Sequence, residues 1–109
     1  MTLPTFRLHD FPTMVTFCFR DFGENLGTRQ LGRLVREQLM PLLEKDERVV
    51  LDFTGVDVVS NSFADECIAK LLLTMPLAEL KEHTTFQGLN PLASESVLTA
   101  LRRRHLSLA

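Results

Sequence analysis

The chain has 109 residues, 45% of them hydrophobic and 24% charged, with a formal net charge of −2. That length fits a single domain, residues 1–109, able to bury a core without disulfide or metal support. The slightly acidic balance argues against nucleic acid as the main partner, because phosphate binding calls for a basic surface.

Cys18 and Cys67 both fall in apolar periodic segments, which predicts buried free thiols in a reducing cytosol. The opening Met-Thr-Leu-Pro-Thr-Phe has neither the charged nor the apolar region of a signal peptide. No apolar run approaches membrane-spanning length. A cytoplasmic protein with no membrane partner is the expectation.

In chain order, Phe6 to His9 reads as a short strand and Asp10 to Thr13, with Pro12, as a hairpin turn. Met14 to Arg20 alternates Val15, Phe17 and Phe19 against Thr16, Cys18 and Arg20, the period of a strand. Asp21 to Gly27 is turn-rich. Thr28 is placed to cap a helix whose apolar face carries Leu31, Leu34, Val35, Leu39 and Leu42 or Leu43. Arg33, Arg36 and Glu37 fall on its other face, and Pro41 should kink or end it.

The consecutive Val49, Val50 and Leu51 suit a strand covered on both faces. Ser62 is then expected to cap a second helix by accepting the Asp65 N–H. Its stripe of Phe63, Ala64, Cys67, Ile68, Leu71, Leu72 and Met75 should run until Pro76. Thr84 to Gln87 reads as a short strand. Asn90 and Pro91 open a last helix, with Val97, Leu98 and Leu101 facing inward and Arg102, Arg103, Arg104 and His105 in its final turn. The predicted order is β-β-α-β-α-β-α: an α/β fold with a mixed β-sheet and three α-helices.

Within that order, Val49 to Glu66 resembles the core motif of STAS domains, the fold of anti-sigma-factor antagonists. Leu51-Asp52-Phe53 matches the motif's strand end and Val56 its turn valine. Ser60-Asn61-Ser62-Phe63 stands at the hydroxyl motif that opens a helix. The resemblance is closer to STAS-like domains of unknown function, through Asp52-Phe53, Gly55-Val56, Ser60, Ser62-Phe63-Ala64-Asp65-Glu66 and the earlier Thr28-Arg29. In antagonists the first serine after the motif Asp takes phosphate from a partner kinase. Asn61 occupies that position here, Ser60 replaces the Asp, and Ser62 keeps the second hydroxyl.

Candidate sites cluster on this segment. Ser62 is either a helix cap or a phosphoacceptor; Ser60 and Thr54 are weaker acceptors that also suit bonds to loop backbone. Asp52, at a strand's carboxyl end, is either a ligand contact or the acceptor for its own turn. Arg29 carries positive charge into a helix's first turn, so it is either solvated or paired with Asp52, Asp65 or Glu66. Asp65 and Glu66 are adjacent and do not face one point on a helix, which argues against paired-carboxylate chemistry. His9, His83 and His105 lie in separate elements without metal-ligand spacing, and no phosphate-cradling glycine loop is present. The Arg102–Arg104 run reads as helix capping and a solvated face, or second as a patch for an acidic partner.

The leading expectation is a non-enzymatic regulatory module without cofactor or metal, a bacterial signalling domain compatible with self-association. It would bind a protein through Asp52, Gly55, Asp57, Asn61, Ser62, Phe63, Asp65, Glu66 and Arg29. The resemblance implies a histidine-kinase-like ATPase or anti-sigma-type kinase as partner, with serine phosphorylation as the switch. The rivals are a nucleotide- or small-ligand-binding module near Asp52, and a minor enzyme completed by oligomerisation.

Overall fold

The computed structural model describes residues 14–45 and 48–108. The strand expected at Phe6 to His9, the turn after it and His9 itself lie outside those residues.

Three parallel strands form the main sheet: β1 (Met14–Cys18), β3 (Arg48–Asp52) and β5 (Thr84–Gln87), in the order β1-β3-β5. Met14 pairs with Arg48 and Val49 with Thr84, so Phe17, Leu51 and Phe86 stand side by side on one face. A second ladder, also parallel, joins β2 (Asn25–Leu26) to β4 (Val58–Val59). The expectation of a mixed sheet is therefore not met among the described residues. A helix lies between each pair of neighbouring strands, and such crossovers return the chain in the same direction.

Among the described residues four α-helices pack on this frame: α1 (Arg29–Glu44), α2 (Asn61–Cys67), α3 (Leu77–His83) and α4 (Pro91–Leu108). The single long helix expected from Ser62 to Met75 is interrupted. After α2 the chain tightens into a 3-10 turn, Ala69–Leu73, in which the Leu71 N–H donates to the Ile68 carbonyl at 3.0 Å. Pro76 does not merely stop a helix. It precedes α3, and its carbonyl accepts the Leu80 N–H at 3.0 Å.

The first strand likewise ends at Cys18, not Arg20, because Phe19–Phe22 turns into a 3-10 helix. That turn carries the Phe19 ring into the core, where it stacks on Phe53 with centroids 3.9 Å apart and meets the edge of Phe63. All three rings are fully buried. Val49, Val50 and Leu51 are all buried, as the consecutive apolar run predicts; Val50 alone of the three lies outside the main core cluster.

Thr28 caps α1 as expected, its Oγ1 accepting the Leu31 N–H at 3.1 Å. The helix runs through Pro41 to Glu44, held beyond the proline by buried Leu43. Its buried stripe is Gly32, Val35, Leu39 and Leu43, while Leu34 points to solvent. In α4 the buried stripe is Ala93, Val97 and Ala100, and Leu98 is exposed, against expectation. Asn90 fixes the entry to α4. Its Oδ1 accepts the Ala93 N–H at 2.8 Å and its Nδ2 donates to the Asp57 carbonyl at 2.9 Å.

Of the two cysteines only Cys67 is buried. Burial pushes its thiol up to about 12, which keeps it protonated. Cys18 is exposed, because in β1 it alternates with the inward Phe17.

Candidate functional site

The turn after β3 is built by Asp52. Its Oδ1 accepts the Thr54 N–H at 3.0 Å and the Thr54 hydroxyl at 2.6 Å, and these two bonds lower the carboxyl's pKa, the hydroxyl more. The Val56 N–H then closes back on the Phe53 carbonyl at 2.9 Å. Asp52 thus serves its own turn. Beyond it Thr54, Gly55, Asp57 and Val58 form an exposed ridge, with Val58 48% exposed despite its apolar side chain.

Ser60, not Ser62, caps α2. Its backbone is extended as it leaves β4, with its N–H on the Leu26 carbonyl at 2.9 Å. Its Oγ accepts the Phe63 N–H at 3.0 Å and donates to the Gly27 carbonyl at 3.0 Å. The predicted Ser62–Asp65 capping pair does not form, because Ser62 already lies inside the helix. Its hydroxyl makes no hydrogen bond among the described residues. Phe63 belongs to the core and Asn61 to the surface.

Asp65 and Glu66 look outward from α2 in different directions, and each is gripped by cations of another element. Asp65 receives a two-point fork from α4: Arg104 Nε to Oδ1 at 2.7 Å and an Arg104 terminal nitrogen to Oδ2 at 2.9 Å. Arg29 of α1 adds a bond to Oδ2 at 2.8 Å. Glu66, only 9% exposed in its side chain, faces Arg36 and Lys70, each 2.8 Å from Oε2. Arg29 also approaches Glu66 at 3.6 Å, so it spans both acids. The pairing expected of Arg29 is met with Asp65 and Glu66, and not with Asp52. The same acids raise the Arg29 pKa, Asp65 first through its hydrogen bond.

Two residues outside the candidate set belong here. Arg36 is half-buried against Glu66, and Arg104 is half-buried against Asp65. The sequence carried a signal for the second. Ala93, Val97, Ala100 and Arg104 continue one helical stripe at spacings of four, three and four.

Arg104, followed by Arg29, holds the Asp65 carboxyl at about 2, below its ordinary 3.8. A carboxylate lowered on folding adds stability above the unfolded pKa and loses it as pH falls through the folded one. Wild type is therefore expected to lose roughly 2 kcal/mol between about pH 4 and pH 2 relative to Asp65→Asn. Acid-titrated urea unfolding reads this, and parallel pH slopes for the two proteins would contradict it.

Between α2 and α4 lies an open cleft of about 470 Å³, lined by Arg29, Asn61, Ser62, Asp65, Thr99, Ala100, Arg103, Arg104 and Ser107. It brings together Arg29, Asn61, Ser62 and Asp65 of the candidate set. Asp52, Gly55, Asp57, Phe63 and Glu66 do not line it. Among the described residues no group of three His, Cys, Asp or Glu side chains is placed to hold a metal ion. No helix there is long and apolar enough to cross a membrane.

The central strand of a parallel sheet thus feeds an acidic turn and a hydroxyl-capped helix. The chain belongs to the family described as STAS-like domains of unknown function, whose model matches residues 32–92. No curated protein and no solved structure matches it. The matched span includes Asp65, Glu66, Arg36 and Lys70, and leaves out Arg29, Arg103 and Arg104.

Proposed function

We propose that this chain is a non-enzymatic regulatory module that binds a protein partner through residues 53–66, with Ser62 as its phosphoacceptor. The observation that carries the reading is the division of labour between the two serines. The Ser60 hydroxyl both donates and accepts, whereas the Ser62 hydroxyl has no bond among the described residues and lines a cleft with three arginines. A phosphate on Ser62 would gain charge-assisted bonds from guanidinium groups already gathered there. It would also compete with Asp65 for Arg29 and Arg104, which couples modification to the α1–α2–α4 contacts.

The exposed ridge Thr54–Val58 supplies a docking edge beside it, with Val58 as an apolar contact and Gly55 and Asp57 flanking it. The partner class is the one the STAS-like resemblance implies, a histidine-kinase-like ATPase or anti-sigma-type kinase. Localisation in the cytoplasm accords with such a partner. The rival ligand site at Asp52 is disfavoured because its Oδ1 already accepts two bonds from Thr54.

Intact mass after incubation with a candidate kinase and ATP tests the proposal. One added phosphate, lost in Ser62→Ala and kept in Ser60→Ala, is the expected result. Ser60→Ala should also cost about 1 kcal/mol as a lost cap, while Ser62→Ala should stay within about 0.5 kcal/mol of wild type. Phosphate on Ser60, or modification unaffected by Ser62→Ala, would overturn the assignment.

A further inference from the structure

The structure assigns the α2–α4 cleft as a binding site for a small phosphorylated polyol, of the size and polarity of a sugar phosphate. Its walls carry Arg29, Arg103 and Arg104 against one carboxylate, Asp65. Three positive charges against one negative leave an excess of two, in a chain whose formal net charge is −2. The Arg103 side chain forms no ion pair or hydrogen bond among the described residues, so its guanidinium has all its donors to offer. Asp65, which shares the cleft wall with them, holds Arg104 and Arg29 in place at 2.7 and 2.8 Å. Two of the three cations are thus ordered before a ligand arrives, which reduces the entropy lost on binding. Guanidinium forks match the oxygens of a phosphate monoester, and two charges suit its dianion.

The rest of the lining describes the body of the ligand. Ser62 and Thr99 present hydroxyls that bond to nothing among the described residues. Ser107 donates to the Arg104 carbonyl at 2.9 Å and keeps its lone pairs for a ligand donor. Among the described residues no aromatic ring lines the cleft, and Ala100 is the one wholly apolar side chain there. Hydroxyls recognise hydroxyls; a nucleobase would find no aromatic ring to stack on. The volume of about 470 Å³ lies in the range of small-molecule sites.

This goes beyond the partner-binding reading and is tested on the unphosphorylated chain without kinase, so each idea can fail alone. Ribose 5-phosphate titrated into the full chain, followed by amide chemical shifts, should saturate with a Kd of about 1 mM or tighter. Shifts should concentrate at Ser62, Thr99 and Ser107 and weaken with added salt. Inorganic phosphate should compete more weakly, and ribose should not bind. Arg103→Ala, exposed and unpaired, should melt like wild type and bind about tenfold more weakly. Absence of saturation, equal binding by Arg103→Ala, or binding of ribose itself would overturn the site. A preference of more than about tenfold for adenosine monophosphate would overturn the polyol assignment.

Discussion

Glu66→Ala is expected to cost the fold about 3 kcal/mol, near the low end of what breaking a buried ion pair costs. The Glu66 side chain is 9% exposed, and both Arg36 and Lys70 lie 2.8 Å from its Oε2. Lys70, then Arg36, lower its pKa, so it is a carboxylate at neutral pH. Removing it leaves two cations converging on an empty place, with Arg29 close by. Arg36 suffers most, since its Nε is already buried without a hydrogen-bond partner. Packing is lost as well. Gly32 of α1 comes so near that a Cβ there would lie 3.3 Å from Glu66 Cγ, an atom the substitution removes. Lys70 and Arg29 can turn toward water, which is why the low end of the range applies. Glu66→Gln keeps the packing and one acceptor oxygen, and should lose less. Urea unfolding midpoints at unchanged slope measure both. A loss below about 1 kcal/mol for Glu66→Ala would mean that the network behaves as a solvated surface pair.

Gly88→Ala should be comparably damaging, at roughly 3 kcal/mol, although position 88 is exposed. Gly88 has φ of +75°, and a Cβ there would fall 2.6 Å from the Thr54 nitrogen and 2.8 Å from its Cα. Thr54 cannot retreat easily, because Asp52 holds both its N–H and its hydroxyl. Nor can the other side give way, since the Phe53 N–H donates to the Gln87 carbonyl at 2.8 Å. Gly23→Ala is the control. Its φ of +130° with ψ of 170° lies where essentially only glycine goes, but nothing lies within 4 Å of a Cβ, so only that backbone strain is charged, about 2 kcal/mol. Equal thermal shifts for the two variants would remove the steric argument.

These two sites show why some of the fold was legible in the sequence and some was not. The strand at Val49 to Leu51, the Thr28 cap and the Asn90-Pro91 entry to α4 each rest on local chemistry that tertiary contacts leave undisturbed. The break after Cys67 had no such signal. An apolar stripe from Phe63 to Met75 looks the same whether one helix carries it or an α-helix, a 3-10 turn and a loop share it. β2 and β4 are two residues each, too short for a period to emerge.

The serines were misread for a physical reason. Ser62 has an acid three residues on and so imitates a capping box, but Asp65 is taken by Arg104 of a distant helix. Ser60 follows directly on β4, and that extended backbone is what an N-cap requires. Arg29 was readable because a cation in a first helical turn calls for an acid. Arg36 and Arg104 were not singled out, because an arginine on a helix is ordinarily solvated, and only the α1 and α4 packing registers reveal otherwise.

The order in which residues leave the ribosome gives the Asp65 fork a temporal meaning. Glu66 finds Arg36 upstream and Lys70 four residues later, so the α1–α2 seam has its full complement of charges early in synthesis. Asp65 must wait for Arg104, after the sheet's last described strand has been made. The helix that presents Ser62 is therefore fastened on one side first and on the other only once α4 has been made. A nascent chain would display this segment more loosely than the finished protein does.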